Sequence, residues 1–426
     1  MTVKKIIKIC FAVLLSLLLF TSTAFAHYHY VNSSMPFEPS NEPTISASIF
    51  NPSICVILDG QFAWFSRDDI AGIPGFQVGC GGERSDSGFS LRGSELKFSS
   101  NVDHIFYGAL TFAVVNEDGK DEIHLDEAFI RTIGMPFGMT FKLGRMLPIF
   151  GYMNEIHTHA DDFADRSLPY RAYLNNEFIA DGIQASIVLP TIFYSEIGGG
   201  LFSGGIFHGH SSLGNGNGHD HGHDHGVNLF NLFTVYARVG GSFGIGHDWR
   251  LGFSFLHTEN EDEERKADNL VFHHGHNELY AVDFKYIFSP RGNNRRTEFS
   301  LQTEFLFRHE NGRYDYDYDN RTEHADVDAE SWGFYIQAVY KFMQNYRIGY
   351  RYTFLNAPKT PEGFENTPLD SGGRNPFIHS LMAEYNTSEF GRFRLQYNFD
   401  KTHRETDNQV IFQYTVSIGA HGAHGF

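Results

Sequence analysis

The stretch of sequence that decides the fold is YRIGYRYTF, at residues 346–354. Every second residue, from Tyr346 through Ile348 to Phe354, is apolar or aromatic, whereas Arg347 and Arg351 lie between them. Successive side chains of a β-strand point to opposite faces of the sheet, so this alternation predicts a strand with one apolar and one polar face. The apolar face can pack on a protein core or meet lipid.

The same alternation recurs along the chain, for example in Phe393, Leu395 and Tyr397 against Arg392 and Arg394. Sixteen segments follow it: residues 54–65, 88–100, 103–115, 121–133, 137–146, 177–189, 192–204, 228–240, 246–258, 277–289, 296–308, 330–342, 345–355, 377–387, 391–400 and 409–421. The number is even, and tight connections alternate with mostly longer ones, as in bacterial outer-membrane barrels. We therefore predict an all-β transmembrane antiparallel barrel with long external loops, short periplasmic turns and a wet, polar lumen.

Three regions are expected along the chain. Residues 1–26 combine lysines, an apolar run and the small-residue pattern Ala24-Phe25-Ala26, which predicts a cleaved signal peptide and export. Residues 27–52 form a short periplasmic segment, and residues 53–426 form the barrel, with a His-rich external loop at 206–227. The final aromatic residue, Phe426, is expected to be read by the barrel-assembly machinery.

The composition favours an exported membrane protein whose partners are cations. Aromatic residues make up 15% of the chain, which suits the interfacial belts of a barrel. The net charge of −18 argues against nucleic acid as a partner and favours cations. Cys55 and Cys80 are expected at opposite ends of the barrel, which argues against a disulfide, although a different position of the first strand would allow one.

The clearest candidate for metal capture is the fourth external loop. Imidazole nitrogens are good ligands for zinc, nickel and copper, and glycine lets them converge on one ion. The candidate ligands are His208, His210, His219, Asp220, His221, His223, Asp224 and His225. The alternative is a solvated low-complexity loop without a fixed site. No tightly bound cofactor is expected, and Zn²⁺ would be transported or loop-bound.

A second candidate lies in the third external loop, between Gly144 and Asn175. The third long loop of general porins folds into the barrel, where a similar cluster would form a metal way-point or a cation filter. The candidates are Glu155, His157, His159, Asp161 and Asp162. The alternative is a hydrated surface loop.

Charged residues on the polar faces of the strands are expected to line the pore. They are Arg347, Arg351, Arg392, Arg394, Asp283, Lys285 and Glu304. The arginines leave an anion-selective pore open as an alternative. His273, His274 and His276 are placed in a fifth external loop, and Asp315 to Asp326 in an acidic external loop.

An enzyme is not expected. The pattern GGSFG at residues 240–244 matches a nucleophile elbow formally, but it falls in a predicted turn between strands. Paired zinc-ligand cysteines, a Walker motif and a dinucleotide fingerprint do not occur in the sequence.

Several stretches carry a resemblance to a known family: NPSICVILDGQFAWFS (51–66), IPGFQVG (73–79), GFSLRGSELKFSSNVDHIFYGALTFAV (88–114), the segment 125–165 containing NEIHTHADDFAD, and QYTVSIGAHGAHGF (413–426). They resemble the porin-like proteins labelled zinc-regulated TonB-dependent outer membrane receptors, which are distantly similar to phosphate-selective porins. The resemblance implies a barrel in the outer membrane that carries scarce zinc inward, with residues 154–165, His421 and His424 as shared features. The sequence offers no plug domain to support coupling to TonB.

Three hypotheses follow from the sequence. The first is an outer-membrane channel or receptor that facilitates uptake of zinc or another divalent metal, with the lipid bilayer and lipopolysaccharide as surroundings. The second is a general or anion-selective porin of the phosphate type, whose histidines are incidental. The third is a secreted β-sandwich that binds sugar or metal, since the same alternation occurs there.

Overall fold

The computed structural model describes residues 52–419, apart from residues 68–69, 71, 77–81, 118–119, 204–230, 266–269 and 319–320. Sixteen strands follow in chain order: β1 Ser53–Phe65, β2 Gly88–Asn101, β3 Phe106–Glu117, β4 Lys120–Thr132, β5 Met139–Met146, β6 Ala180–Val188, β7 Tyr194–Ser203, β8 Leu232–Ser242, β9 His247–Arg265, β10 Leu270–Phe288, β11 Glu298–Tyr318, β12 Arg321–Met343, β13 Tyr346–Asn356, β14 Phe377–Ser388, β15 Gly391–Asp400 and β16 Asp407–Gly419. A short α-helix, α1 (Leu168–Leu174), and two single-turn 3-10 helices, Met153–Glu155 and Thr158–Ala160, lie between β5 and β6. No helix of the described ranges is long and apolar enough to cross a membrane.

The strands form one closed antiparallel barrel, in which each strand pairs with its neighbours in sequence. The first and last strands close it, with Cys55 opposite Gly419 and Phe65 opposite Gln409. Closure satisfies the backbone groups that an open sheet leaves unpaired at its edges. The predicted fold and the sixteen predicted strands are confirmed.

The barrel exposes its apolar side chains and buries its charged ones. In β13, Ile348 and Tyr350 are 49% and 43% exposed, whereas Arg347 and Arg351 are 6% and 1% exposed. A water-soluble sandwich shows the opposite distribution, because its apolar face forms the core. The β-sandwich hypothesis is therefore wrong, and the outer surface matches the lipid-facing band of a membrane barrel.

Four strands extend further than their sequence predicted. Residues 309–318 of β11 pair with residues 321–330 of β12, and β9 pairs with β10 up to Arg265 and Leu270. The predictions of an acidic loop at 315–326 and of a fifth loop containing His273, His274 and His276 are therefore wrong, because the described residues of both segments lie in β10, β11 and β12. The extended strands bury a separate apolar cluster, in which Phe272 and Tyr314 pack with Phe364 of the loop between β13 and β14.

Candidate functional site

The loop between β5 and β6, residues 147–179, lies inside the barrel and is called the inner loop below. Its backbone donates hydrogen bonds to inward side chains of distant strands: Gly151 to Ser254 at 3.0 Å, Leu168 to Thr353 at 3.0 Å and Ala164 to Gln396 at 2.7 Å. These acceptors belong to β9, β13 and β15, so the loop crosses the interior of the barrel.

An apolar layer holds the inner loop in place. All seven residues of α1 are buried. Five of them belong to an apolar cluster that also contains Phe76 of the loop after β1 and the inward leucines of β8 to β11 and β13, namely Leu232, Leu256, Leu279, Leu306 and Leu355. The prediction that polar residues line a wet lumen is therefore wrong around α1, where apolar side chains fill the interior of the barrel. The polar lining is confined to other parts of the wall.

Glu304, predicted to line the pore, instead anchors the inner loop. Its carboxylate accepts hydrogen bonds from the backbone N–H of Tyr152 at 2.9 Å and of Met153 at 3.1 Å. The hydroxyls of Tyr170, at 2.9 Å, and of Tyr335 donate to the same carboxylate. The side chain is fully buried, so it offers no surface to a passing solute.

Glu155 is paired with two arginines of the barrel wall. Arg238 and Arg250 each approach its carboxylate to 2.7 Å. Arg238 also contacts Glu196 at 2.6 Å, and Arg250 lies 3.5 Å from Asp283. Two arginines and three carboxylates thus form one buried network, which engages the carboxylate that was predicted to bind metal.

The aspartates of the inner loop are also paired with arginines. Asp161 accepts from Arg166 at 2.9 Å, while Asp162 and Asp165 form close ion pairs with Arg347 and Arg351 respectively. Burial opposes ionisation of Asp162 and Asp165, yet these arginines lower the pKa of both below the ordinary value. Burial prevails at Asp161 and raises its pKa despite Arg166.

The remaining predicted wall residues face inward and contact the same loop. Arg347 and Arg394 bind Glu384 of β14 at 3.0 and 2.9 Å. Arg394 donates to the carbonyl of Asp161 at 2.7 Å, Arg392 donates to the carbonyl of His159, and Lys285 donates to the Tyr152 hydroxyl at 2.7 Å. These cations therefore position the inner loop.

Two histidines of the inner loop meet carboxylates of the wall. His159 Nδ1 lies 2.8 Å from Glu95, and His157 lies 3.4 Å from Glu95 and 3.1 Å from Glu127. The two imidazole rings stack with centroids 5.7 Å apart. One ligand atom each of Glu95, Asp126 and His157 lie within 4.8 Å of one another. We call Glu95, Asp126, Glu127, His157 and His159 the inner cluster.

The inner cluster is buried and strongly charged. Glu95, Asp126 and Glu127 are each about as buried as a core residue, with 4–5% exposure. Lys142 of the wall forms an ion pair with Glu127 at 3.2 Å. Burial tends to lower the pKa of His157, but Glu95 and Glu127 outweigh it and raise that pKa well above its ordinary value. The pocket therefore favours a cation.

Sequence reasoning found His157 and His159 but missed the three carboxylates. Strand pairing explains why: the register of β3 with β4 shifts where Thr111 opposes Glu127 and Phe112 opposes Leu125, which leaves Asp126 as an extra residue. Such a bulge lets the adjacent residues Asp126 and Glu127 both be buried, against simple alternation. Two acids in a row within an alternating strand, as in LDEAF, were the available signal.

Several predictions lie outside the described residues. They concern the His-rich loop at 206–227 with its eight candidate ligands, the segment 1–51, Cys80, His421, His424 and Phe426. The proposed roles of these residues, and the absence of a Cys55–Cys80 bridge, stay predictions.

Comparison with known proteins shows similarity in fold. No protein-family model matches the chain. An uncharacterized protein of Aquifex aeolicus (strain VF5) is 28% identical over 409 residues, covering 89% of this chain and 81% of that protein.

Three solved structures illustrate the structural likeness. OprB of Pseudomonas putida has a TM-score of 0.51 at 11% identity and covers 86% of this chain and 94% of its own. OmpF of Salmonella typhi, solved with daunomycin, has a TM-score of 0.51 at 14% identity, and the match covers 86% of this chain and 97% of the OmpF chain. The Vibrio cholerae outer membrane protein OmpT without loop L8 has a TM-score of 0.50 at 11% identity, and the match covers 86% of this chain and 98% of the OmpT chain. The chain therefore has a porin-like outer-membrane barrel fold.

Proposed function

We propose that this protein is an outer-membrane channel in which the inner loop narrows the path, and that its cargo is a divalent metal ion such as zinc. Three observations support a channel of the outer membrane: the closed barrel, its apolar outer surface and its porin-like fold. The bilayer and lipopolysaccharide are its surroundings, and Phe426 is its signal to the assembly machinery. A catalytic role has no support from the buried, ion-paired groups described above.

The inner cluster carries the proposal for the cargo. Its two imidazoles and three carboxylates supply the nitrogen and oxygen ligands that zinc takes in proteins, at distances of about 2.0–2.2 Å. The ligand atoms of Glu95, Asp126 and His157, which lie within 4.8 Å of one another, would need to approach by about 1 Å to share one ion. Imidazole favours zinc over magnesium and calcium, which prefer oxygen ligands alone.

The path that we propose begins at the His-rich loop and continues along β2 and β4. His208 to His225 would collect the ion outside, and the inner cluster would receive it within the barrel. A partly hydrated ion that exchanges ligands stepwise can leave each site again, as conduction requires. Coupling to TonB forms no part of the proposal.

An anion-selective porin is the second candidate. Arg347, Arg351, Arg392 and Arg394 face the interior, where they contact Glu384, Asp162 and Asp165. Four arginines close together favour anions on this side of the wall. The inner cluster brings the carboxylates of Glu95, Asp126 and Glu127 together, and this concentration of acidic groups favours cations on the other side.

The test is the reversal potential of the protein refolded into a planar bilayer under a zinc chloride gradient. We expect the reversal potential of the parent protein to have the sign that selectivity for zinc over chloride produces. The double variant Glu95→Gln with His157→Gln should shift the reversal potential toward the value for chloride. It should also reduce zinc permeability at least tenfold, because the inner cluster loses one negative charge and two ligands for the ion.

The matched control is Glu389→Gln, which removes an exposed carboxylate from the turn between β14 and β15. It should leave the potential unchanged. A deletion of residues 208–225 tests the capture step separately. A chloride-selective potential that is the same in the parent and in the double variant would establish the anion porin instead.

A further inference from the structure

A second group of histidines and carboxylates lies on the outside of the barrel, across three neighbouring strands. In the strand pairing, Glu278 of β10 lies directly opposite His257 of β9 on one side and His309 of β11 on the other. One step further along the same face, His276 lies opposite Glu259. We call these five residues the outer histidine patch.

The patch faces outward. Its neighbours two residues along each strand are Phe255, Tyr280 and Phe307, which form a continuous aromatic strip with ring centroids 4.8 and 6.1 Å apart. Residues that alternate with the patch, such as Leu256 and Leu279, are fully buried in the interior cluster. The patch therefore lies just beyond the aromatic edge of the apolar band, on the same side as the long loops, about 7 Å from the aromatic strip at 3.4 Å per residue.

The side chains of the patch lie close enough that rotamer changes could bring them onto one metal ion. The ring centroids of His257 and His276 are 6.0 Å apart, and those of His276 and His309 are 6.2 Å apart. His309 Nδ1 lies 4.0 Å from a carboxylate oxygen of Glu278. Two ligands bound to one zinc ion at about 2.1 Å each are separated by roughly 3.4–4 Å, depending on the angle between them.

A carboxylate outside the patch orients one of the imidazoles. Asp328 of β12 lies 2.8 Å from His309 Nε2, so the imidazole N–H on that nitrogen can donate to it. With the proton on that nitrogen, Nδ1 of His309 keeps a lone pair for a metal, and it lies 4.0 Å from the Glu278 carboxylate. Histidines that bind metals in proteins commonly have such a carboxylate on the second nitrogen.

We propose that the outer histidine patch is a binding site for a transition-metal dication such as Zn²⁺ or Cu²⁺, with His309 Nδ1 and Glu278 as its core and His276 and His257 as completing ligands. A bound ion would join β9, β10 and β11 where they leave the apolar band. Since the patch faces away from the interior, the proposal is independent of the cargo proposed above.

The test uses Trp332 of β12, whose ring stacks on Phe305 with centroids 5.8 Å apart on the same outer face. In the full chain carrying Trp64→Phe and Trp249→Phe, Trp332 is the sole tryptophan, because the sequence has three. Cu²⁺ bound in the patch should quench its fluorescence in a saturable titration. His309→Ala and Glu278→Gln should each weaken the apparent Cu²⁺ affinity at least tenfold, and Asp328→Asn should weaken it less.

The matched control is His379→Ala of β14, three strands from β11, which removes an outward imidazole that packs on Tyr352 of the neighbouring β13 with centroids 4.8 Å apart. It should leave the titration unchanged. All variants retain the His-rich loop, so its contribution is the same in each titration. Equal affinities for the parent, His309→Ala and Glu278→Gln, with each barrel shown to be folded by heat-modifiable gel migration, would overturn the proposal.

Discussion

At the scale of single residues, Glu304 shows how one buried carboxylate can determine the position of a loop. It accepts hydrogen bonds from two backbone N–H groups and two tyrosine hydroxyls. In Glu304→Gln, the amide N–H₂ would face donors, so at least one buried donor would lose its acceptor at a cost of about 1–3 kcal/mol. We expect a fall of this size in the free energy of unfolding, measured by urea titration in lipid vesicles. The exposed Glu323→Gln should change it by less than about 0.5 kcal/mol.

The same scale shows what the sequence could predict of the site. His157 and His159 stand out in the segment NEIHTHADDFAD because histidines and acids are concentrated there. Their partners Glu95 and Asp126 lie in strands far away in sequence, and two register shifts, after Ile57 and at Thr111, bring them to the site. The sequence also could not predict that arginines neutralise Glu155, because its pairing with Arg238 and Arg250 depends on the path of the inner loop through the barrel.

At the scale of elements, the inner loop depends on ion pairs that acid should break. Arg347 and Lys285 lower the pKa of Asp162, against burial and Glu384, and Arg351 and Arg171 lower that of Asp165, against burial. A lowered carboxyl pKa stabilises the folded state above the unfolded value of about 3.9, and this stabilisation is lost as the pH falls through the folded value. We expect single-channel conductance to be constant from about pH 7 to 5 and to rise below about pH 4 as the loop loosens.

The variant Asp162→Asn with Asp165→Asn provides the comparison. It should show the higher conductance already at neutral pH and respond much less to acid. A parent protein whose conductance does not change down to about pH 3 would contradict the role of these two pairs in holding the loop.

The strands themselves were the most predictable elements, because a period of two is visible wherever one face is apolar. The extensions of β9 to β12 escaped prediction for a physical reason. Their inward apolar residues, such as Phe272 and Tyr314, pack on Phe364 of another loop, while charged residues occupy the outer face. Without the apolar outer face that marks the membrane-spanning part, these extensions resemble an acidic loop in sequence.

At the scale of the whole molecule, the distribution of exposed side chains predicts what the barrel's surroundings must be. Leu381, in the middle of β14, is 56% exposed on the outer face. If that face meets the hydrocarbon core, Leu381→Arg should destabilise the folded protein in lipid vesicles by about 2–4 kcal/mol, whereas an outer face in water would accept arginine at almost no cost. Glu389→Arg, in a turn beyond the band, should change the free energy of unfolding by less than about 1 kcal/mol. Equal values for both variants would mean that the apolar surface is covered by something other than lipid, and the outer-membrane assignment would then fail with it.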